Sequence, residues 1–420
     1  MNLVNTEMKI YDSVFEDNVA ISVTHGFAMT NSKLTASGIH IMSTSQSWPI
    51  DETSVLAGFF YLSQRSQLNL IGDSVVQHTH GRVATAILLQ GESKVFVQDS
   101  EFTDILALKD GGFEATGVIV GWQSESIIID QSIFSGIENT NIYSDRTPVT
   151  ITRSEFKHGK RSPYVAVHGS TLTMQSSKMS DAGDVFVIGR GLSVVEDPTA
   201  AGRGIQCIHC ARVVIFNNEF SNLHSLRGGA IFLDFSANVQ LGKNQFVNNT
   251  AQQGGAVYVY HSEVVAVNNH FEENSAIRGE TIGSSVQHEG SGGAIFFTCI
   301  DVTDDSAVYD ANKDGTQCKV ELSRNRFWEN YATNKGGALM WTNRNFTITD
   351  ESSNDFKDNV SLQGGADISS PPARIKIEII KSEFAKVDPF PPVFDPEDTD
   401  NFLEQDIAKK VQAAFIIVSG

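Results

Sequence analysis

Short apolar runs separated by glycine and asparagine recur along the second half of the chain. The runs at 213–216, 264–267 and 294–297 are rich in β-branched and aromatic residues, which predicts strands of four or five residues. No long window shows the three-and-four spacing of an amphipathic helix. The pattern therefore predicts an all-β chain.

The triplet Gly-Gly-Ala marks these runs at recurring positions. It begins at Gly228, Gly254, Gly292, Gly336 and Gly364, with intervals of 26, 38, 44 and 28 residues. The first four copies each open an apolar run. The two short intervals correspond to the bare repeat, and the two long intervals correspond to a repeat with an inserted loop.

A second element lies between successive triplets: a phenylalanine, an asparagine three positions later and a small residue two positions after that. Its copies start at Phe15, Phe246, Phe271, Phe327 and Phe356. A unit of about 25 residues cannot bury its own apolar face, so it must stack on copies of itself. Parallel coils about 4.8 Å apart would place the phenylalanines in an internal stack and the asparagines in a ladder at a tight turn. A β-sandwich or propeller is the alternative, but its antiparallel strands would have to be longer.

The pairing of Phe-x-x-Asn with Gly-Gly-Ala-Ile/Val/Leu resembles the repeats of the polymorphic outer-membrane protein family. The second motif matches at 228–231, 254–257, 292–295 and 336–339, whereas the copy at 364–367 ends in Asp367. The resemblance is strongest over residues 205–370. It implies a right-handed single-stranded parallel β-helix (solenoid) of the pectin-lyase-like type with loop insertions, and it specifies a scaffold better than an activity.

The length and the net charge of the chain exclude some classes of function. Lys and Arg total 31 against 50 Asp and Glu in 420 residues, a net charge of −19, so nucleic acid is not an expected partner. The longest apolar patches, at 55–62 and 413–418, are too short to span a membrane. We expect residues 1–385 to form one β-helix, as a fragment of a longer solenoid. Residues 386–420, rich in proline and acidic side chains, are expected to be a linker into a following segment.

The four cysteines fall into two local pairs, Cys207 with Cys210 and Cys299 with Cys318. Locality favours a disulfide within each pair, which would place the protein in an oxidising compartment. The second pair brackets the insertion in the 44-residue interval, as a disulfide that clamps a protruding loop would. The alternative for the first pair is the start of a zinc site with His209, but no second ligand pair follows at a suitable spacing.

A spacing of oxygen-bearing residues that is typical of calcium loops begins inside the cysteine-bracketed insertion. Asp310, Asn312 and Asp314 alternate, Gly315 follows, and Glu321 takes the place of the bidentate carboxylate. Because the flanking helices of an EF-hand are missing, a solvated acidic loop is the alternative. Calcium is the only cofactor that the sequence predicts.

Three asparagines lie in acceptor sequons for N-glycosylation: Asn248, Asn345 and Asn359. Asn359 also belongs to the asparagine ladder of the repeat, and an inward-facing side chain could not carry a glycan. Asn345, in a loop of the repeat, is therefore the best candidate of the three.

Many parallel β-helices act on acidic polysaccharides, so catalysis has to be considered. The tripeptide 374–376 resembles the basic tripeptide of polygalacturonases, whose paired aspartates and His-Gly element should precede it. Adjacent aspartates occur upstream only at Asp304 and Asp305, inside the acidic insertion. Histidine-glycine pairs occur at His25, His80, His158 and His168. All of these pairs precede the aspartates, so the family order is broken and we predict no catalytic residues and no enzyme.

These observations predict a non-catalytic structural or adhesive segment of a large cell-surface or secreted protein. The β-helix would be a rigid spacer and interaction surface that assembles into a filament or coat. Its expected partners are other surface or filament proteins, glycans or copies of itself, contacted through the insertions at 43–54, 190–204, 278–291 and 299–319. The alternative is a β-helix that binds or degrades an acidic polysaccharide along its groove.

Overall fold

The computed structural model describes residues 1–16, 24, 26–42, 58–79, 83–105, 117–138, 140–160, 162–183, 185–188, 191–194, 201–278, 289–298, 319–342 and 354–369. They form a parallel β-helix in which each full coil contributes one strand to each of three long sheets, and neighbouring strands in a sheet come from successive coils. The described residues contain no helix, and so none long and apolar enough to cross a membrane. The all-β prediction is confirmed.

Pairing is parallel in all three long sheets, and a short fourth sheet and one antiparallel hairpin complete the fold. The first sheet contains β1 (Asn2–Val4), β4 (Phe27–Thr30), β7 (Phe60–Ser63), β10 (Ala84–Gln90), β13 (Gly117–Trp122), β16 (Ile142–Asp145), β19 (Val165–His168), β24 (Ile205–Ile208), β27 (Ile231–Asp234), β31 (Val257–Tyr260), β35 (Ile295–Thr298), β39 (Leu339–Trp341) and β42 (Ile368–Ser369). The second contains β2 (Glu7–Tyr11), β5 (Lys33–Ser37), β8 (Gln67–Ile71), β11 (Lys94–Gln98), β14 (Ser126–Asp130), β17 (Val149–Thr152), β20 (Thr171–Gln175), β25 (Arg212–Phe216), β28 (Val239–Gly242), β32 (Glu263–Val267) and β36 (Lys319–Ser323). The third contains β3 (Val14–Glu16), β6 (His40–Met42), β9 (Ser74–Gln77), β12 (Ser100–Thr103), β15 (Ile133–Ser135), β18 (Glu155–Lys157), β21 (Lys178–Ala182), β26 (Glu219–Leu223), β29 (Gln245–Val247), β33 (His270–Glu272), β37 (Arg326–Trp328) and β40 (Asp355–Lys357). The fourth contains β30 (Thr250–Ala251), β34 (Ser275–Ala276), β38 (Tyr331–Ala332) and β41 (Val360–Ser361), and the hairpin is β22 (Val185–Ile188) with β23 (Gly191–Val194).

The predicted phenylalanine stack is present in the core, against the third sheet. Adjacent rings, such as Phe246 and Phe271, lie 4.6 Å apart and are nearly parallel. Met179 continues the column between Phe156 and Phe220, because it pairs in register with both. The stacked rings are Phe102, Phe134 and Phe156, then Phe220, Phe246, Phe271, Phe327 and Phe356.

Two asparagine ladders run along the helix, one more than the sequence predicted. In the predicted ladder, which follows the third sheet, the amide of Asn274 donates to Asn330 Oδ1 at 3.0 Å and to Phe246 O at 2.9 Å. Its members are Asn249, Asn274, Asn330 and Asn359. The second ladder lies between the second and third sheets, and its members are Asn218, Asn244, Asn269, Asn325 and Asn354. Both ladders satisfy buried backbone amides with a side chain of the next coil.

The Gly-Gly-Ala triplets lie at the corner that leads into the first sheet. Gly228 has a φ of +59°, a conformation that favours glycine. A Cβ on Gly229 would lie 2.2 Å from the carbonyl oxygen of Gly255 in the next coil. The close approach of successive coils therefore explains the paired glycines.

Candidate functional site

The first sheet presents two rows of side chains to the outside of the helix. The first and third residues of its strands, such as Ile231 and Leu233 of β27, belong to the core, so the second and fourth residues face outward. We call the row formed by the last residues of strands β13, β16, β19, β24, β27 and β31 the outward row. On six successive coils this row consists of Trp122, Asp145, His168, Ile208, Asp234 and Tyr260.

His168 lies near the middle of the outward row. Its Nδ1 atom is 3.4 Å from the hydroxyl oxygen of Tyr143, and the two rings meet edge to face at 5.2 Å. Its Nε2 atom is buried without a hydrogen-bond partner. Burial lowers the pKa of His168, against the opposing effects of Asp145 and of the nearby Gln206 side chain, whose contact with the imidazole falls short of a well-formed hydrogen bond to Nε2. The imidazole is therefore held neutral near pH 7, with one nitrogen able to accept a proton.

Asp234 occupies the outward row two coils beyond His168, with Ile208 between them. Its Oδ1 atom is also buried without a partner. Burial raises the pKa of this carboxyl group, although His209, His261 and Arg227 nearby act in the opposite direction. Two coils correspond to a backbone separation of about 10 Å. Unpartnered buried polar atoms are rare in folded proteins and require an explanation.

Four rings beside Asp234 line the turn that follows the first sheet. Phe235 lies 5.3 Å from His209 and 4.7 Å from His261, measured between ring centroids. Tyr260 of the outward row packs on Phe235 at 5.4 Å with its ring perpendicular. Phe235 is 40% exposed, so an apolar surface adjoins the carboxyl group. Aromatic surfaces of this kind have a large contact area and a polar rim, and they are common at binding sites.

The two carboxylates of the outward row do not form a pair. Asp145 and Asp234 are three coils apart, which corresponds to about 14 Å between their backbones, whereas the paired carboxylates of glycosidases lie about 5 to 9.5 Å apart. Asp145 instead contacts Arg146, at 3.2 Å. The groups available for proton transfer in this row are therefore His168 and Asp234.

Cys207 and Cys210 are buried free thiols whose side chains contact each other in the structure, and the disulfide between them stays a prediction. Cys207 faces the core from β24, and burial raises the pKa of its thiol. Cys210 occupies a turn position at which the next coil has Ser236, whose hydroxyl accepts the Cys210 backbone N–H at 3.3 Å. The Cys210 thiol donates to Val167 O at 3.3 Å, as a hydroxyl would at this position. This packing explains the Cys-x-x-Cys spacing without a bond between the two sulfurs.

The surroundings of Asn359 do not favour the glycan predicted there. Its side chain is only 6% exposed, and its amide donates to Phe327 O at 2.8 Å and to Asp367 Oδ1 at 2.9 Å. An amide enclosed in this way cannot carry a sugar. Asn248 is exposed and donates to Asn222 Oδ1 at 2.8 Å, so glycosylation at Asn248 stays a prediction.

The calcium prediction concerns mostly residues outside the described ranges. Glu321 lies on β36, where its carboxylate pairs with Lys319 at 2.5 Å. Across the described ranges, no three His, Cys, Asp or Glu side chains are placed to hold a metal ion. The described residues do not include several positions named in the sequence analysis: Asp310, Asn312, Asp314, Cys299, Cys318, Asn345 and the segments 374–376 and 386–420. Calcium binding by this loop therefore stays a prediction.

Motif spacing does not reveal His168 or Asp234 as site residues. His168 occurs in the sequence as one of several histidine-glycine pairs, and Asp234 belongs to no recognised motif. The usable signal is a titratable side chain at the end of an apolar run, as in Val-Ala-Val-His at 165–168 and Ile-Phe-Leu-Asp at 231–234. Only the register between coils brings the two ends into one row.

The fold and the outward row together define a coiled parallel scaffold with a solvent-facing site on one sheet. Residues 61–378 match the family described as right handed beta helix region, and the chain belongs to this family. The match confirms the right-handed parallel β-helix. The finer resemblance to polymorphic outer-membrane protein repeats stays a prediction. No curated protein is significantly similar to this sequence.

Two solved structures are similar to this chain at low identity. The periplasmic alginate epimerase AlgG is 12% identical, with 88% of this chain and 74% of that chain covered and a TM-score of 0.37. A PL6 alginate lyase in complex with a trisaccharide is 8% identical, with 90% of this chain and 84% of that chain covered and a TM-score of 0.26. Likeness at this level carries no argument about activity or substrate.

The prediction that the chain is not an enzyme is corrected. The two similar solved structures are described as an epimerase and a lyase. That prediction was based on the repeat residues and on the order of motifs found in polygalacturonases. Asp234 lies outside that signature, and His168 entered it only as one of four histidine-glycine pairs.

Proposed function

We propose that the protein binds a polysaccharide along the outward face of the first sheet and cleaves it between His168 and Asp234. The observation that carries this proposal is the pair of buried, unpartnered atoms, His168 Nε2 and Asp234 Oδ1, in one outward row. A sugar hydroxyl or a water molecule bound to the substrate would satisfy both atoms. Coils about 4.8 Å apart also advance by roughly the length of one sugar in an extended 1,4-linked chain.

The reaction that fits this pair is hydrolysis with inversion. Neutral His168 accepts a proton from water as the water oxygen attacks the anomeric carbon, while protonated Asp234 donates its proton to the leaving glycosidic oxygen. Inverting glycosidases hold their acid and base about 6.5 to 9.5 Å apart, so that a water molecule fits beside the sugar. Two coils span about 10 Å between backbones, close to the upper end of this range. Burial lowers the pKa of His168 and raises that of Asp234, and each shift is in the direction that favours the form its role requires.

The test is polysaccharide cleavage by matched variants. Release of reducing ends from a panel of polysaccharides is compared for the wild type, His168→Ala and Asp234→Asn. We expect each substitution to lower the rate by about 100-fold or more, the usual contribution of general acid–base catalysis. His270→Ala and Asp355→Asn are the controls, because these residues lie on the third sheet and contact Glu272 and Trp328 instead. Equal rates for His168→Ala and wild type, or no cleavage of any polysaccharide by the wild type, would reject the proposal.

We also propose a location at the cell surface or in the secreted fraction, with glycans, surface proteins or further copies of the chain as partners. Self-assembly is supported by the exposed apolar side chains Val4 and Val14, which are 57% and 61% exposed. Exposed apolar surface is a common feature of association sites. Sedimentation velocity at increasing concentration should show association of the wild type and less association of Val14→Lys. A single monomeric species at every concentration would exclude assembly through these side chains.

A further inference from the structure

We propose that the polysaccharide accepted by this site is uncharged, an inference that rests on the proposed function and adds the class of substrate. Across both outward-facing rows of the described first-sheet strands, the only formally charged side chains are Asp145 and Asp234, with histidine counted as neutral. Both are acidic. A polymer of uronic acids or sulfated sugars would place its negative charges next to these two carboxylates, which would repel them.

The cations closest to this face are already engaged. Arg146, on the turn beyond Asp145, contacts the Asp145 carboxylate at 3.2 Å. The guanidinium group of Arg227 lies 5.6 Å from the centre of the Tyr258 ring. Recognition of a carboxylated sugar requires a cation that is free to pair with it, preferably an arginine with two parallel hydrogen bonds. Each of these two arginines already contacts a neighbouring side chain, which weakens both as partners for a carboxylated sugar.

The long-range field of the chain acts in the same direction. The net charge of −19 slows the approach of a polyanion and lowers its local concentration. An uncharged polymer meets no such barrier. Its binding would depend on hydrogen bonds and on contact with rings.

The residues around the two aspartates suit an uncharged sugar. Trp122, Tyr143 and Tyr260 are half-buried on the outward face, and the exposed ring of Phe235 packs on Tyr260. Pyranose rings present apolar C–H faces that pack on aromatic surfaces, and their hydroxyl groups can donate to a carboxylate oxygen such as Asp234 Oδ1. The composition of the face therefore favours ring contacts and hydroxyl recognition over ion pairing.

The test compares pairs of oligosaccharides that share a linkage and differ only in the carboxyl group. Manno- and mannuronate, cello- and cellouronate, and galacto- and galacturonate oligomers are titrated into the full chain by calorimetry at pH 7. We expect the uncharged member of at least one pair to bind at least tenfold more tightly than its carboxylated counterpart. The double variant Asp145→Asn/Asp234→Asn should narrow this preference, whereas the third-sheet control Asp355→Asn should leave it unchanged.

The outcomes separate the two proposals. Tighter binding of a carboxylated member would overturn the uncharged substrate while the polysaccharide site itself stands. An unchanged preference in the double variant would also overturn it, because the two aspartates would then not cause the selection. Binding of no oligosaccharide in any pair would reject both this inference and the proposed function.

Discussion

Asn359 donates its side-chain amide to Asp367 Oδ1 at 2.9 Å, in the place where the preceding member of the ladder donates to the next asparagine. Asn330, for comparison, donates to Asn359 Oδ1 at the same distance. Asp367 is also the residue at which the fifth Gly-Gly-Ala copy departs from its apolar pattern. The departure thus supplies the acceptor for Asn359, the last member of the ladder in the described coils.

Removal of this acceptor should destabilise the coils around Asn359. We expect Asp367→Ala to lower the free energy of unfolding by about 1 to 3 kcal/mol, the usual cost of leaving a buried amide unsatisfied. Urea denaturation followed by circular dichroism measures the change. Asp358→Ala, which removes an exposed carboxylate of the same segment, is the matched control and should change stability by less than about 0.5 kcal/mol. Equal effects of the two substitutions would mean that the Asn359 contact contributes nothing.

Asp367 should also make stability depend on pH. Burial raises the pKa of its carboxyl group above the usual 3.8, against the lowering effect of the Asn359 hydrogen bond. A carboxyl group with a raised pKa binds its proton more tightly in the folded state, so its contribution to stability is greatest below pH 3.8 and is lost as the pH rises through the folded-state value. The wild type should therefore lose more stability than Asp367→Asn over this interval. Other titrating groups affect both proteins alike, so parallel urea-unfolding profiles of the two would contradict the prediction.

The buried ladder should contribute more to stability than an exposed asparagine. Asn274→Ala removes an amide that donates to Phe246 O and Asn330 Oδ1 and an oxygen that accepts from Asn249. We expect a loss of about 3 kcal/mol, since several buried groups become unsatisfied together. Asn248→Ala, at an exposed turn position of the preceding coil, is the control and should cost less than about 1 kcal/mol. Comparable losses in chemical denaturation would show that the ladder is not a special source of stability.

The stacking residues could be predicted because each coil packs on a similar coil, so the residue types that stack must recur along the sequence. Phenylalanines such as Phe246 and asparagines such as Asn274 recur in the sequence at the spacing that stacked coils require. Their recurrence therefore predicts the parallel coils. The second ladder could not be recognised in the same way. Its position is asparagine in later coils, such as Asn244, but serine in earlier ones, such as Ser132, which keeps the hydrogen bond while it changes the residue type.

The candidate site could not be predicted because it does not repeat. His168 and Asp234 are not part of the recurring Phe-x-x-Asn or Gly-Gly-Ala motifs. The coils between these two residues also differ in length, because one of them contains an insertion. Sequence distance therefore says nothing about their separation in space, which the pairing of β19, β24 and β27 determines. Local spacing likewise does not show that Cys207 and Cys210 both pack into the core, where the structure holds them as free thiols in contact with each other.

The free thiols can be tested by alkylation without a reductant. Cys207 and Cys210 are buried, so iodoacetamide should leave both unmodified in the native protein. Unfolding in urea with no reducing agent should expose them, and both should then gain one carbamidomethyl group. Peptide mass spectrometry reads the two positions directly, with a sample reduced before alkylation as the reference. A peptide that remains unmodified after unfolding and becomes modified only after reduction would indicate the disulfide instead.

The pH dependence of cleavage should identify His168 and Asp234 as the titrating pair. Burial lowers the pKa of His168 below 6.5, so the base is protonated and the rate falls only on the acidic side of that value. Burial raises the pKa of Asp234 above 3.8, so the acid loses its proton and the rate falls as the pH rises beyond the raised value. We therefore expect a bell-shaped profile of kcat/KM with an optimum on the acidic side of neutrality.

The two variants should each remove one limb of that profile. Asp234→Asn cannot titrate, so its residual activity should lose the alkaline limb and keep the acidic one. His168→Gln should lose the acidic limb for the same reason. His270→Gln is the control, because His270 faces away on the third sheet beside Glu272, and its profile should match that of the wild type. An alkaline limb that persists unchanged in Asp234→Asn would mean that another group is the acid, and the assignment of Asp234 would fail.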